Sequence, residues 1–362
     1  MRRLGELALG LAHLGGAAVC EPMPEATKSY GPLQAEVHLT VRGTTDIALF
    51  EPVLQTFVTR SDGARIDYEQ WASNDLYLAT VAECRSSSAT ADLVVSSSID
   101  QQIKLANDGC AAPYRSDGTA RLPAVSNWRD EVFGITWEPA AIVYNKSTIG
   151  SAPAPKSRFD LIDLLRPEDS AFRGRVATYD IEVSGLGYLF AFADSQQATT
   201  FGRLIEAFGR SGAVATCCSA AIIDGVVSGD YLIAYNVLGS YALARADENP
   251  DIVVVAPDDY TLVLARAALI PRRAAMPELA GEFIDFLISE PGRSALRSAN
   301  LIVDTNESVH AAMRLPENPD VSLRPIPLSL ALLVGLDQHK RREFVARWQA
   351  AFPKERDRES AD

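Results

Sequence analysis

Three short segments carry residue types suited to gripping a ligand: Gly43-Thr44-Thr45-Asp46, Ser96-Ser97-Ser98-Ile99-Asp100 and Ser184-Gly185-Leu186-Gly187-Tyr188. Each follows an apolar, β-branched run (Val37 to Val41, Leu93 to Val95, Val176 to Tyr179), and each precedes residues at helical spacing. A strand that turns through small hydroxyl residues into a helix leaves the first backbone N–H groups of that helix without intrahelical partners. The helix dipole adds partial positive charge at the same place, so an oxyanion suits such a turn. One Ser or Thr before a helix is an ordinary cap. Three in one chain predict turns that converge on one oxyanion-bearing ligand.

Other side chains admit two readings each. Arg42 follows the first strand and is either a fixed cation near Thr44, suited to a bidentate phosphate grip, or a solvated strand-end residue. Arg266, within Leu264-Ala265-Arg266-Ala267, is either a ligand contact or salt-bridged inside a lobe. Glu138, beside Trp137, is a ligand-hydroxyl acceptor or a surface residue at a strand end. Tyr179, Asp180 and Tyr188 could meet the organic part of a ligand, although Tyr188 also begins an apolar helical face. Cys217-Cys218 open a helix, where a thiol becomes more acidic; a soft-metal site is the sharper reading and two unremarkable thiols the plainer one. Ser184-Gly185-Leu186-Gly187 lacks the third glycine and the later acidic residue of a dinucleotide fingerprint. The four histidines, His13, His38, His310 and His339, form no catalytic set with Ser or Cys. No catalytic residue, metal site or cofactor is expected.

At 362 residues, 47% hydrophobic and 22% charged, the chain has a globular composition and room for two domains. Its net charge of −13 argues against a nucleic-acid partner, which needs clustered Lys and Arg. Met1-Arg2-Arg3, the apolar stretch to Leu14 and the small residues before Cys20 fit an export signal over residues 1–23, hence a periplasmic location. No later run reaches the ~20 apolar residues of a membrane span. In that compartment Cys84 and Cys110 are either disulfide-bonded or two separate buried thiols.

Residues 24–34 read as a polar leader. Beyond them, strands at Val37 to Val41, Arg65 to Glu69 and Ala91 to Val95 alternate with amphipathic helices, which predicts a mostly parallel sheet with helices on both faces. A second alternating block runs from Phe159 to Tyr235. Two β-rich stretches, Phe133 to Tyr144 and Thr261 to Ile270, read as crossings between lobes. The expected division is lobe 1 from 33–143 and 261–362 and lobe 2 from 144–260.

The order and spacing of several segments carry a resemblance. Gly43-Thr44-Thr45-Asp46, Ala91 to Ser98, Phe133 to Pro139, Tyr235 to Tyr241, Asp259 to Leu262 and Glu290-Pro291-Gly292 resemble periplasmic solute-binding proteins of ABC transporters. The nearest branch holds ferric-iron, hexose-phosphate and phosphoglycerate binders. The resemblance implies an α/β fold of two lobes, each a mixed, mostly parallel sheet flanked by helices, closing over a ligand at crossing strands. Carried over by position, the implied contacts are Thr44, Thr45, Ser97, Ser98, Ser184, Gly185, Gly187, Tyr188, Tyr235 and Asn236, joined by Glu138 and Tyr179. The iron binders use neighbouring tyrosines, whereas here Asn236 follows Tyr235, so a phosphorylated or carboxylated solute is the expected ligand. The implied partner is a membrane permease, or a sensor histidine-kinase ectodomain, served by a monomer.

Overall fold

The computed structural model describes residues 22–61, 63–86, 91–151, 154–197, 200–302, 313–314 and 323–352. The export segment expected over 1–23 therefore lies almost wholly outside the described residues.

The chain begins with β1 (Ala26–Tyr30) and then alternates through β2 (Val37–Gly43), α1 (Ile47–Arg60), β3 (Ala64–Gln70), α2 (Ser73–Arg85), β4 (Leu93–Ser96) and α3 (Ile99–Asn107). β2 lies between β3 and β4, parallel to both, as helical crossovers require. α1 buries Phe50, Val53, Leu54 and Phe57, residues three, one and three apart that form one stripe against the sheet. β1 replaces the expected polar leader. Its backbone pairs antiparallel with β3 from Ala26↔Gln70 to Tyr30↔Ile66 although only Tyr30 is buried, so hydrophobic patterning could not announce it. β5 (Ala111–Ala112), β6 (Asn127–Trp128) and β7 (Val132–Gly134) follow.

From β7 the chain crosses to a second sheet, which takes β8 (Glu138–Asn145), α4 (Lys146–Ile149), α5 (Arg158–Leu165), β9 (Val176–Tyr179), α6 (Gly185–Gln197), α7 (Phe201–Ser211), β10 (Val214–Thr216), α8 (Ser219–Ser228), β11 (Ile233–Leu238), α9 (Gly239–Glu248), β12 (Ile252–Val255) and β13 (Thr261–Leu264). It returns through β14 (Ala267–Pro271), α10 (Pro277–Ile288) and α11 (Glu290–Ser298), then ends with β15 (Met313–Arg314), β16 (Leu323–Pro325), α12 (Leu333–Leu336) and α13 (Gln338–Ala351). The first sheet has the order β1-β3-β2-β4-β14-β7-β6, with β5 on β14. The second has β10-β9-β11-β8-β12-β15, with β13 pairing both β8 and β16.

The lobes therefore exchange at residues 135–137 and 265–266, and the expected boundaries need correction. Residues 138–143 belong to β8, which pairs with β11, β12 and β13, all in the second sheet. Residues 261–264 are β13 of the same sheet. The run Val132 to Tyr144 is almost continuously apolar because both of its strands are buried, so composition gives no mark where the chain changes lobe. The C-terminal segment is also divided. Phe344 of α13 packs on Phe201 and Tyr188, and Phe352 packs on Phe208, all on the second lobe. α12 instead lies against α3 of the first.

Cys84 and Cys110 are disulfide-bonded with their Cα atoms 5.4 Å apart, tying the end of α2 to the approach to β5. Cys217 and Cys218 are joined sulfur to sulfur as neighbours.

Candidate functional site

A cleft of about 570 Å³ opens where the two crossings meet. Among the described residues six helices start at its walls. α1, α2 and α3 come from the first lobe, and α6, α8 and α9 from the second; the turns before them contribute Asp46, Ala72, Ser97, Ser184, Cys218 and Leu238 to the lining. The first-lobe turns are tied together. Thr44 Oγ1 accepts from the Ser97 N–H at 2.9 Å and sits 3.1 Å from Ser97 Oγ. On the opposite wall Ser184 Oγ caps α6 by accepting from the Gly187 N–H at 3.0 Å. Tyr179 lies beside it, its hydroxyl 2.5 Å from Ser219 Oγ.

The floor is a buried ion pair across the hinge. Arg266 Nε donates to Glu138 Oε1 at 2.8 Å and Nη2 to Oε2 at 3.3 Å, while the side chains are 1% and 0% exposed. Thr136 and Ser240 hydroxyls complete the Glu138 carboxylate. The two crossing segments are stitched further by Ile135 N–H to Arg266 C=O and Arg266 N–H to Thr136 Oγ1. Burial alone would lower the guanidinium's pKa, but the Glu138 charge outweighs it and the net direction is upward. Arg266 still lines the cleft, with Nη1 making only long contacts to Thr44 at 3.4 and 3.5 Å.

The lobes touch around this cleft. The Tyr241 hydroxyl accepts from the Asp46 N–H at 3.0 Å and donates to Asp46 Oδ1 at 2.9 Å. Asn74 Nδ2 donates to the carbonyls of Glu182 and Val183, and the Gly185 N–H donates to Ser73 Oγ. Burial pushes the Tyr179 phenol up to about 12 and that of Tyr241 well above 10, so both are neutral hydroxyls at neutral pH.

Of the residues singled out from the sequence, the structure gathers Thr44, Ser97, Tyr179, Ser184, Cys217, Cys218 and Arg266 at the cleft. Thr45 and Ser98 lie one position further in, fully buried, with the Tyr68 hydroxyl donating to the Thr45 carbonyl. Gly187 lies against Tyr179, where any side chain would collide. Gly185 and Tyr188 line a separate groove of about 840 Å³ between α2, α3 and α13. Tyr188 is core, its hydroxyl donating to the Gly335 carbonyl, because α13 covers the helical face that it begins. Glu138 is neither at the surface nor available to a ligand, since Arg266, Thr136 and Ser240 occupy both oxygens. Tyr235 points into the second lobe and donates to Asp194, beneath the buried Arg158. Asn236 sits in a bulge of β11 at φ 62°, also off the cleft lining. Arg42 is held by Glu69 and Glu83 over the Trp71 ring, inside its own lobe. Asp180 anchors its own turn by accepting from the Glu182 N–H.

The sequence reading missed Asp46 and Tyr241 as a pair, along with the turn from Gln70 to Asn74. That turn has a signal like that of the other three, with Ser73 and Asn74 opening α2 shortly after β3. Among the described residues no group of three or more His, Cys, Asp or Glu is placed to hold a metal ion, and no helix is long and apolar enough to cross a membrane.

Comparison with known proteins agrees with this architecture. Residues 88–325 match the family model described as bacterial extracellular solute-binding protein. A solved substrate-binding protein of an ABC transporter from Agrobacterium tumefaciens is 33% identical, with 90% of this chain and 98% of that chain aligned and a TM-score of 0.83. The periplasmic binding protein AfuA from Actinobacillus pleuropneumoniae, solved with fructose-6-phosphate, aligns over 88% of this chain and 99% of its own at 16% identity and TM-score 0.65. A periplasmic thiamin-binding protein aligns over 88% and 96% at 16% identity and TM-score 0.67. The last two likenesses show the shared fold. No curated protein sequence matches significantly. These matches are to binding proteins, not enzymes.

Proposed function

We propose that this chain, which belongs to the family of bacterial extracellular solute-binding proteins, captures a small anionic organic solute in the cleft between its lobes and delivers it to an ABC-transporter permease. The observation that supports an anionic solute is the convergence of six helix N-termini on one cavity, with the Arg266 guanidinium at its floor. N-terminal amides and dipoles favour negative charge, and the short hydroxyls of Thr44, Ser97 and Ser184 fit oxygen acceptors. Phosphate and carboxylate both meet that description. Export by the N-terminal segment would place the protein where it meets such solutes.

Closure supplies the affinity. A solute seated between Thr44 and Ser97 on one side and Ser184 and Ser219 on the other contacts both lobes only when they are together, so binding shifts the population toward the closed form. The test is a thermal-shift screen of sugar phosphates, phosphoglycerates, pyridoxal phosphate, dicarboxylates, inorganic phosphate and Fe(III). A true ligand at 100 times its Kd adds about 2.7 kcal/mol of stability. Stabilisation by an anionic organic compound supports the reading; stabilisation by Fe(III) alone removes it.

A further inference from the structure

Helix starts and one guanidinium account for an anion, but the same cavity is lined by Glu25, Asp46, Asp75 and Glu182. Among the described residues Arg266 is the sole basic residue on that lining, and buried Glu138 already neutralises it. Glu25 lies at the exposed rim, and Asp75 belongs to the first turn of α2, where a carboxylate complements the helix dipole. Asp46 has no such explanation. It occupies the N-cap position of α1, where an Asp ordinarily accepts from the helix's own N–H groups, yet its side chain makes no capping bond. The carboxylate instead meets the Tyr241 hydroxyl across the cleft. Among the described residues no cation lies within 4 Å of it.

From this geometry we infer that the solute is zwitterionic, with an anionic group at Thr44, Ser97 and Arg266 and an ammonium group beside Asp46. The inference rests on the function proposed above. The cavity is already the solute site, and Asp46 adds the charge of the solute's other end. A neutral phenol at Tyr241 holds Asp46 in place without cancelling it. The reach between the two seats is short. Thr44 and Asp46 are two residues apart, so their Cα atoms are separated by at most about 7 Å. A linker of two to four atoms between the charged groups fits that span.

The experiment compares matched compounds on the purified protein by calorimetry and thermal shift. One set is O-phosphoethanolamine, monoethyl phosphate and ethylamine; the other is β-alanine, propionate and ethylamine. The inference expects the zwitterion of at least one set to bind tenfold or more tightly than its anion-only partner, with ethylamine weakest. In Asp46→Asn, which keeps the acceptor for Tyr241, that advantage should fall below threefold. Should that variant fail to fold, the ratio on the unaltered protein still decides. Anion-only compounds that bind as well as the zwitterions overturn the inference and leave the anion reading standing. Binding by no compound of either set overturns the inference alone, and binding by ethylamine alone or by Fe(III) alone overturns both.

Discussion

Replacing Arg266 by Met removes the cation at the cleft floor while keeping a side chain of comparable length. Its carboxylate partner, Glu138, is completely buried, on a strand of the second lobe, and receives two guanidinium contacts at 2.8 and 3.3 Å. The Thr136 and Ser240 hydroxyls remain after the substitution, but neither supplies charge. Breaking one side of a buried pair costs about 3–5 kcal/mol, because it leaves an uncompensated ion. Arg266→Met should therefore lose about that much stability in urea unfolding followed by circular dichroism. Adding Glu138→Gln removes the stranded charge, its amide oxygen accepting from one of the two hydroxyls and its NH2 donating to the other, so the double variant should recover at least half of the loss. Ligand affinity should not return with it, since the anion seat still lacks its guanidinium. A single-variant loss below about 1 kcal/mol, on the scale of an exposed pair, would refute the reasoning. So would a double variant that regains full ligand affinity.

Three further variants test other regions of the molecule. Burial pushes the Asp100 carboxyl up to about 7, above its unfolded value, so its contribution to stability is present in acid and lost as pH rises through about 7. Relative to the native chain, Asp100→Asn should gain about 2–3 kcal/mol between pH 5 and pH 8 in urea titrations; a pH-independent difference would count against it. The bond from Cys84 to Cys110 closes a loop with a sequence separation of 26, and the doubly substituted Cys84→Ser/Cys110→Ser protein should lose about 3.5 kcal/mol; a loss under 1 would contradict that estimate. A side chain at Gly185 would come within 3 Å of Ser98, Gln101 and Asn74 across the lobe contact. Gly185→Val should hold the lobes apart, seen as a larger radius of gyration in X-ray scattering with melting temperature little changed; an unchanged radius would show that the contact yields instead.

The parts of the fold legible in the sequence are those where one physical signal acts alone. β2, α1, β3, α2, β4 and α3 follow from alternating strand and helix periodicity. Thr44, Ser97 and Ser184 follow from hydroxyl turns at helix starts. β1 was invisible because an exposed edge strand is fixed by backbone pairing to β3 and needs no apolar face. The lobe boundary near Glu138 was hidden because buried strands on both sides of the crossing are equally apolar. Tyr188 and Tyr235 look alike in sequence whether they face a ligand or a core, and here α13 and the buried Arg158–Asp194 pair decide it. Asp46 stood within a segment already singled out, but an Asp before a helix reads as a cap. Only coordinates show its carboxylate turned toward Tyr241.

An anionic solute in the cavity over Arg266 is what every other proposal here depends on. Native mass spectrometry of the protein purified from its own cell envelope, without unfolding, tests it most directly. The expected result is a noncovalently bound small molecule with a phosphate or carboxylate group, retained by the native chain and lost from Arg266→Met/Glu138→Gln. Recovery of bound iron, or of an uncharged solute retained equally by both proteins, would contradict it.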